Sequence, residues 1–346
     1  MRRNGCGVAK LWRPDGDSSA AAPSRRATRP IIQRADKRVN ASETAASNTR
    51  YRGRFAPSPT GSLHFGSLVA ALGSWAMARH AGGEWWVRIE DVDRTREVPG
   101  AADAQLHTLA AFGLVSDAPV VRQSARGDLY RAALDRLLER GQAFRCHCSR
   151  SDVESDGGVH RRCPPERARE AFSVRLRVAD GTIIGFDDAV HGRIEQDVAA
   201  EAGDAVLLRA DGCWAYQLAV VVDDAEQGIT HVVRGADLLD STPRQIALQR
   251  ALALPTPAYA HLPLVLDAQG RKLSKSLASL PVDGDDPLPA SILAWQALGQ
   301  RADAMTAAGP VERRLARAMA DFDPSRIPRG PIAFAALHNG LLPGRT

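Results

Sequence analysis

The sequence predicts an α/β fold: a doubly wound parallel sheet of the Rossmann type, interrupted by a small zinc-binding insertion and followed by a short helical C-terminal region. Three observations carry this reading. Residues 51–90 read as strand, tight turn, helix and strand. Strand-like apolar runs separated by helical periods return after residue 200. Between these two stretches, three cysteines and two histidines fall within residues 146–163.

Residues 1–50 are rich in Arg, Ala and Ser and lack a sustained hydrophobic period, which predicts a disordered basic tail. Residues 1–53 hold 12 Lys or Arg against 4 Asp or Glu, so a chain of net charge +5 leaves its remaining residues at −3. Bulk charge therefore gives the body no argument for an RNA partner; only a local patch would.

Residues 51–144 form the first half of the sheet, with a strand over 51–56, a helix from 65 to about 80 and a strand over 85–90. Pro57 and Pro59 forbid helix before the turn, Gly61 frees the backbone, and Leu68, Leu72, Trp75 and Ala76 recur at helical spacing. The N-terminus of that helix faces the turn, where free N–H groups and the helix dipole suit a phosphate, and His64 is placed to contact one. Two more helices follow. The second is amphipathic through Tyr130, Leu134, Leu137 and Leu138 and ends at Gly141.

Residues 145–200 read as the insertion: Val174, Leu176 and Val178 alternate, while Gly181, Gly185 and Gly192 punctuate short strands. Residues 201–280 form the second half, with parallel strands over 216–222 and 229–233, a helix over 242–254 and an apolar run over 261–266. Residues 281–346 are Pro-rich at first, then Ala-rich and helical.

A chain of 346 residues predicts two compact units with extensions. Its apolar runs fall short of the roughly 18–20 residues that span a bilayer, and no secretory pattern opens it. A cytoplasmic protein without a membrane partner is expected. Five cysteines, an odd number, argue against a disulfide framework. Cys6 in the tail and Cys213 in an expected hairpin turn read as inert thiols. Cys146, Cys148 and Cys163, with His147 and His160, are the types that close a tetrahedron around structural zinc and hold a loop-rich segment together.

About 210 residues after His64, the stretch Arg271-Lys272-Leu273-Ser274-Lys275-Ser276 places two ammonium groups and two hydroxyls in one short loop. Together, HFGS at 64–67 and KLSKS at 272–276 resemble the paired HIGH and KMSKS signatures of class I aminoacyl-tRNA synthetases. The longer words RFAPSPTGSLHFGS, VRIEDVDRTR, AYQLAVVVDD and VRGADLL are similar to the glutamyl group of that class, over roughly residues 51–300.

The resemblance implies formation of glutamyl adenylate, an in-line attack by a carboxylate on the α-phosphate of ATP with Mg2+ present. Such a reaction needs positioned cations and N–H groups and no protein nucleophile. It implies that His64 contacts phosphates, that Gly66 lets adenine lie close to the backbone, and that Lys275, helped by Lys272, stabilises the leaving pyrophosphate. Ser67 replaces the second histidine of the generic signature. For glutamate, with two carboxylates and an amine, guanidinium groups and an acid are the matching chemistry. The resemblance assigns Arg54, Phe55, Ala56, Pro57 and Ser58, with Glu90, Tyr216 and Arg234, to that pocket, each polar member at an expected strand end. It also implies a zinc site of Cys146, Cys148, His160 and Cys163, with His160 where relatives have tyrosine. His147 is the alternative ligand and loss of the metal the competing reading.

Seventy residues after the second signature do not make the large helical anticodon-binding region of an ordinary glutamyl-tRNA synthetase. The chain thus resembles the truncated branch of the glutamyl group that attaches glutamate to the queuosine base of tRNA(Asp). The partners implied are L-glutamate, ATP and the anticodon loop of tRNA(Asp), with the protein a monomer. Ordinary charging of a tRNA 3′ end and a non-catalytic tRNA-binding relative are the alternatives.

Overall fold

The computed structural model describes residues 50–163, 169–273, 282 and 284–338. The expected basic tail over 1–49, with Cys6, and the loop residues Ser274, Lys275 and Ser276 lie outside the described residues. The first half contains β1 (Arg52–Phe55), α1 (Phe65–His80), β2 (Glu84–Ile89), α2 (Ala101–Ala111), β3 (Val121–Arg122) and α3 (Gly127–Glu139). In α1, Phe65, Leu68, Leu72 and Trp75 are buried, and the helix lies between the sheet and a helix near the C-terminus. Tyr130, Leu134 and Leu137 form the buried face of α3, and Gly141 turns the chain after it at φ 66°.

The middle of the chain forms β4 (Ala143–Cys146), α4 (Arg150–Ser155), β5 (Ser173–Leu176), β6 (Ile183–Asp188), β7 (Gly192–Asp197), α5 (Val198–Glu201) and β8 (Val206–Leu208). Next come α6 (Tyr216–Glu226), β9 (His231–Gly235), α7 (Thr242–Leu252), β10 (Ala258–Leu262) and β11 (Val265–Leu266). Beyond them lie α8 (Pro287–Ala297), α9 (Val311–Ala320), β12 (Ile332–Ala333) and α10 (Phe334–His338). The main sheet has seven strands in the order β3-β2-β1-β9-β10-β6-β7, parallel except for the β6–β7 pair. Between β1 and β9 the connection order reverses direction, so the carboxyl ends of these two strands flank the switch point where such sheets bind ligands.

Three features differ from the sequence expectation. The run over 216–222 is helical, as the start of α6, and Tyr216 stands at a helix start instead of a strand end. Leu218 through Val222 are all buried, and an apolar run without a polar face has no period that separates helix from strand. Residues 183–197 do not stay with the insertion: β6 pairs with β10 through Asp188 and Tyr259 and carries β7 with it onto the main sheet. Only β4, β5 and β8 form a separate antiparallel sheet, packed against α3 and α6. Gly185 consequently lies inside β6, not at a turn, and a Cβ there would sit 2.4 Å from Nη2 of Arg193 on β7. The run over 261–266 breaks at Pro263, which has no N–H for a ladder; the chain resumes as β11, paired with β12.

Candidate active site and metal centre

The turn after β1 delivers the N-terminus of α1 to the switch point. His64 caps α1 from an extended backbone (φ −104°, ψ 165°); its Nδ1 accepts from the Ser67 N–H at 3.2 Å and its Nε2 lies 3.0 Å from Ser67 Oγ. The imidazole thus folds over the first turn. A Cβ on Gly66 would meet its Nδ1 at 3.3 Å, so glycine at 66 leaves room for this capping ring. Ser67, which stands where the generic signature has histidine, contacts both ring nitrogens of His64. Around them is a cavity of about 290 Å³, lined by Pro57, Ser58, His64, Gly66, Ser67 and Lys272 among others. A helix N-terminus opening into such a space is an anion site by its N–H groups and dipole.

A second cavity, of about 510 Å³, shares Phe55, Ala56, Ser58, Asp237 and Lys272 with the first, so the two form one cleft. Arg54, Glu90, Tyr216 and Arg234 all line the second cavity. Sequence positions 54, 90, 216 and 234 are thereby brought together. Pro57 lines the neighbouring cavity instead, and its carbonyl accepts from the Glu90 N–H at 2.9 Å, tying the turn to the end of β2.

The cationic groups of this pocket are anchored by buried carboxylates that the sequence reading missed. Arg54 donates from Nε and Nη2 to both oxygens of Asp224, each at 3.2 Å. Arg88, fully buried, reaches Asp224 Oδ1 at 2.8 Å, Gln227 Oε1 at 2.7 Å and Glu90 Oε1 at 3.3 Å. Asp223 accepts from Arg126, Gln123 and Tyr130 at 2.6–2.8 Å. Burial raises the Glu90 carboxyl, an effect that Arg88 and Arg54 oppose. Burial also works against the charge of Asp224, but Arg54 and Arg88 outweigh it and hold that carboxyl below its ordinary value. The signals in the sequence were an arginine inside the apolar strand β2 and the acidic doublet Asp223-Asp224 closing an apolar run. Neither says which charges meet.

Arg234 donates from Nε to His261 Nε2 at 3.1 Å, from Nη1 to the Tyr216 hydroxyl at 3.3 Å and from Nη2 to Thr242 Oγ1 at 2.7 Å. Lys272 pairs with Asp237 at 2.5 Å, and both residues line both cavities.

The cluster at the end of β4 is compact. The ligand atoms of Cys146, Cys148, His160 and Cys163 all lie within 4.8 Å of one another, with Cys148 Sγ 3.9 Å from Cys163 Sγ and Cys146 Sγ 3.2 Å from His160 Nε2. Tetrahedral zinc with bonds of about 2.0–2.3 Å needs donor separations of roughly 3.5–3.8 Å, so this donor set fits. His160 turns its other nitrogen to Asp204, with Nδ1 and Oδ2 3.0 Å apart, the partner that typically fixes a ligating imidazole. His147 points elsewhere: its Nδ1 accepts from the Arg169 N–H at 3.3 Å.

The model of the catalytic domain of class I tRNA synthetases (E and Q) matches residues 50–296, and the chain belongs to this family. Within the family, the chain is 62% identical over 280 residues to the glutamyl-Q tRNA(Asp) synthetase of Xanthomonas oryzae pv. oryzae, covering 81% of this chain and 93% of that protein. It is 55% identical over 269 residues to the protein of the same name from Burkholderia cenocepacia, covering 74% of this chain and 90% of the relative. Among solved structures, a glutamate tRNA ligase from Elizabethkingia meningosepticum in complex with its amino acid superposes with a TM-score of 0.68 at 26% identity, over 82% of this chain and 67% of that one. The Rossmann-type fold read from the sequence is the fold observed. No helix among the described residues is long and apolar enough to cross a membrane.

Proposed function

We propose that this chain activates glutamate with ATP and transfers it to the queuosine base of tRNA(Asp); its relatives at 55–63% identity carry the name glutamyl-Q tRNA(Asp) synthetase. One observation carries the assignment to particular residues: Arg54, Glu90, Tyr216 and Arg234 share a cleft with the N-terminus of α1 and Lys272. Two guanidinium groups match the two carboxylates of glutamate and Glu90 matches its ammonium. The α-carboxylate oxygen bonds to the α-phosphorus while the bond from that phosphorus to the β-phosphate's bridging oxygen breaks, releasing pyrophosphate. His64, the first N–H groups of α1, Lys272 and Lys275 stabilise the charge on the phosphates, with Gly66 in the adenine-facing turn. Among the described residues the phosphate side of the cleft has Asp237 as its carboxylate, and in this reading magnesium is held chiefly by ATP itself, as that ion commonly is.

Cys146, Cys148, His160 and Cys163 would hold zinc as a closed four-ligand structural site, tying the end of β4 to residues 160–163. The cytoplasm is the compartment this substrate set implies. The working unit in this reading is a monomer.

Glutamate-dependent exchange of pyrophosphate into ATP, measured with protein and magnesium and no RNA, tests the first half-reaction. Mass spectrometry of the nucleoside from the tRNA(Asp) anticodon loop tests the second. Exchange that appears only when tRNA is added, or glutamate recovered on the 3′-terminal adenosine, would replace this reading with ordinary glutamyl-tRNA synthesis.

A further inference from the structure

We propose that Asp188 and His261 are positioning residues for Arg234, a relay of three neighbouring strands that fixes the guanidinium on which glutamate binding depends; the inference rests on the glutamate pocket proposed above. Arg234 lies on β9, His261 on β10 and Asp188 at the end of β6, adjacent in the sheet, with His261 in register with Arg234 and Tyr259 with Asp188. All three are buried: Arg234 is 5% exposed, His261 0% and Asp188 4%.

The protonation pattern follows from the donors. An arginine Nε carries a proton and has no acceptor role, so at 3.1 Å from Arg234 Nε the His261 Nε2 must offer its lone pair. The imidazole proton is then on Nδ1, and it is donated to Asp188 Oδ2 at 2.6 Å. Asp188 is itself held in place, its Oδ1 accepting from the N–H groups of Val190 and His191, both at 2.9 Å. Burial, with Arg234 nearby, holds His261 below its ordinary value and therefore neutral, although Asp188 pulls the other way. Neither Asp188 nor His261 lines the cleft, while Arg234 does. Their part is to select one imidazole tautomer and, through it, to fix the Nε edge of a guanidinium whose other edge is held by Thr242, Tyr216 and the Leu238 carbonyl.

Asp188→Asn tests this sharply. Three backbone N–H groups, of Val190, His191 and His261, face Oδ1, so the amide oxygen must take that place and the amide NH2 must face His261 Nδ1. His261 is forced to carry its proton on Nε2, setting donor against donor at Arg234 Nε and leaving Thr242 Oγ1, also 3.1 Å away, as the acceptor for that proton. In the variant, the KM for glutamate in pyrophosphate exchange should rise about 10- to 100-fold, the scale of one lost hydrogen bond to a charged group. The KM for ATP should stay within twofold and kcat should fall less than the glutamate term. Nitrogen chemical shifts of the His261 ring should report the Nδ1–H form in the wild type and the Nε2–H form in the variant. A glutamine at 261 offers Arg234 an acceptor without any tautomer, so His261→Gln should keep its KM for glutamate within about fivefold of wild type, while His261→Leu should match Asp188→Asn. This pair decides the matter even where Asp188→Asn unfolds. An unchanged glutamate KM in Asp188→Asn, equal losses in His261→Gln and His261→Leu, or an Nε2–H tautomer in the wild type would overturn the relay. A wild-type protein that activates no glutamate would instead sink the functional reading, and the tautomer measurement would still judge the relay.

Discussion

Replacing Asp224 with asparagine removes one negative charge from between two buried guanidinium groups while keeping side-chain volume. Arg54 and Arg88 have side chains 4% and 1% exposed, and Asp224 is 9% exposed and receives both. Breaking a buried ion pair by removing one partner costs about 3–5 kcal/mol, because the remaining charge stays desolvated. Here two cations lose the same anion. Arg88 keeps Glu90 at 3.3 Å and Asp223 at 3.7 Å, which softens the loss on its side, so the middle of that range, about 4 kcal/mol, is the expectation. At roughly 2–4 °C per kcal/mol this lowers the melting temperature by about 8–16 °C. The control is Asp211→Asn, which breaks the half-exposed pair with Arg209 and should cost under about 1 kcal/mol. The sign with pH is fixed too. Asp224 is held below its ordinary value in the folded state, so its contribution is complete above the unfolded pKa near 3.9 and disappears as pH falls through the folded value. Denaturant midpoints of the two proteins should therefore differ fully at neutral pH and converge in acid. A difference under about 1 kcal/mol at pH 7, or one that grows on acidification, would refute the account of Asp224 as the counter-ion of the pocket.

Metal analysis should find about one zinc per chain, lost in Cys146→Ser. Asp204→Asn should retain the ligands yet weaken metal affinity about 10- to 100-fold in competition with a chelator, as loss of an outer partner typically does; equal affinity in that variant would mean that the Asp204–His160 contact plays no part in binding. Asp237→Asn should release Lys272 for phosphate and lower the KM for ATP, by no more than about fivefold because a half-exposed ion pair is worth at most about 1 kcal/mol. A KM that rises instead would give Asp237 a role in holding magnesium.

What the sequence revealed and what it hid divide along contact distance in the chain. The turn between β1 and α1 and the Cys/His cluster over 146–163 are built from residues close in sequence, so spacing exposed both, although the cap made by His64 and the choice of His160 over His147 needed the structure. Arg54, Glu90, Tyr216 and Arg234 are far apart, and their meeting in one cavity was foreseen only through resemblance to a family. Asp188, His261, Asp224 and Arg88 were missed. Arg88 meets Asp224 across 136 residues, and His261 meets Asp188 across 73, and nothing in a single chain of letters pairs such charges. The helix α6 was misread for a related reason: complete burial erased the periodicity that would have marked it.

The missed residues share a position in the architecture. Each pocket arginine is anchored by a segment outside the two signature loops, Arg54 by the C-terminal end of α6 and Arg234 by β10 and β6. A guanidinium that must bind a carboxylate gains from a low-dielectric setting, where the attraction is stronger, but there it must also be held by other polar groups or it destabilises the fold. Here Arg54 has a carboxylate directly, whereas Arg234 reaches one only through a neutral imidazole. The charge of Asp188 is thereby kept one ring away, leaving Arg234 less neutralised than Arg54. Of the two, Arg234 is the less neutralised and exerts more of its charge on its ligand carboxylate, while Arg54, already paired with Asp224, holds the other carboxylate more weakly.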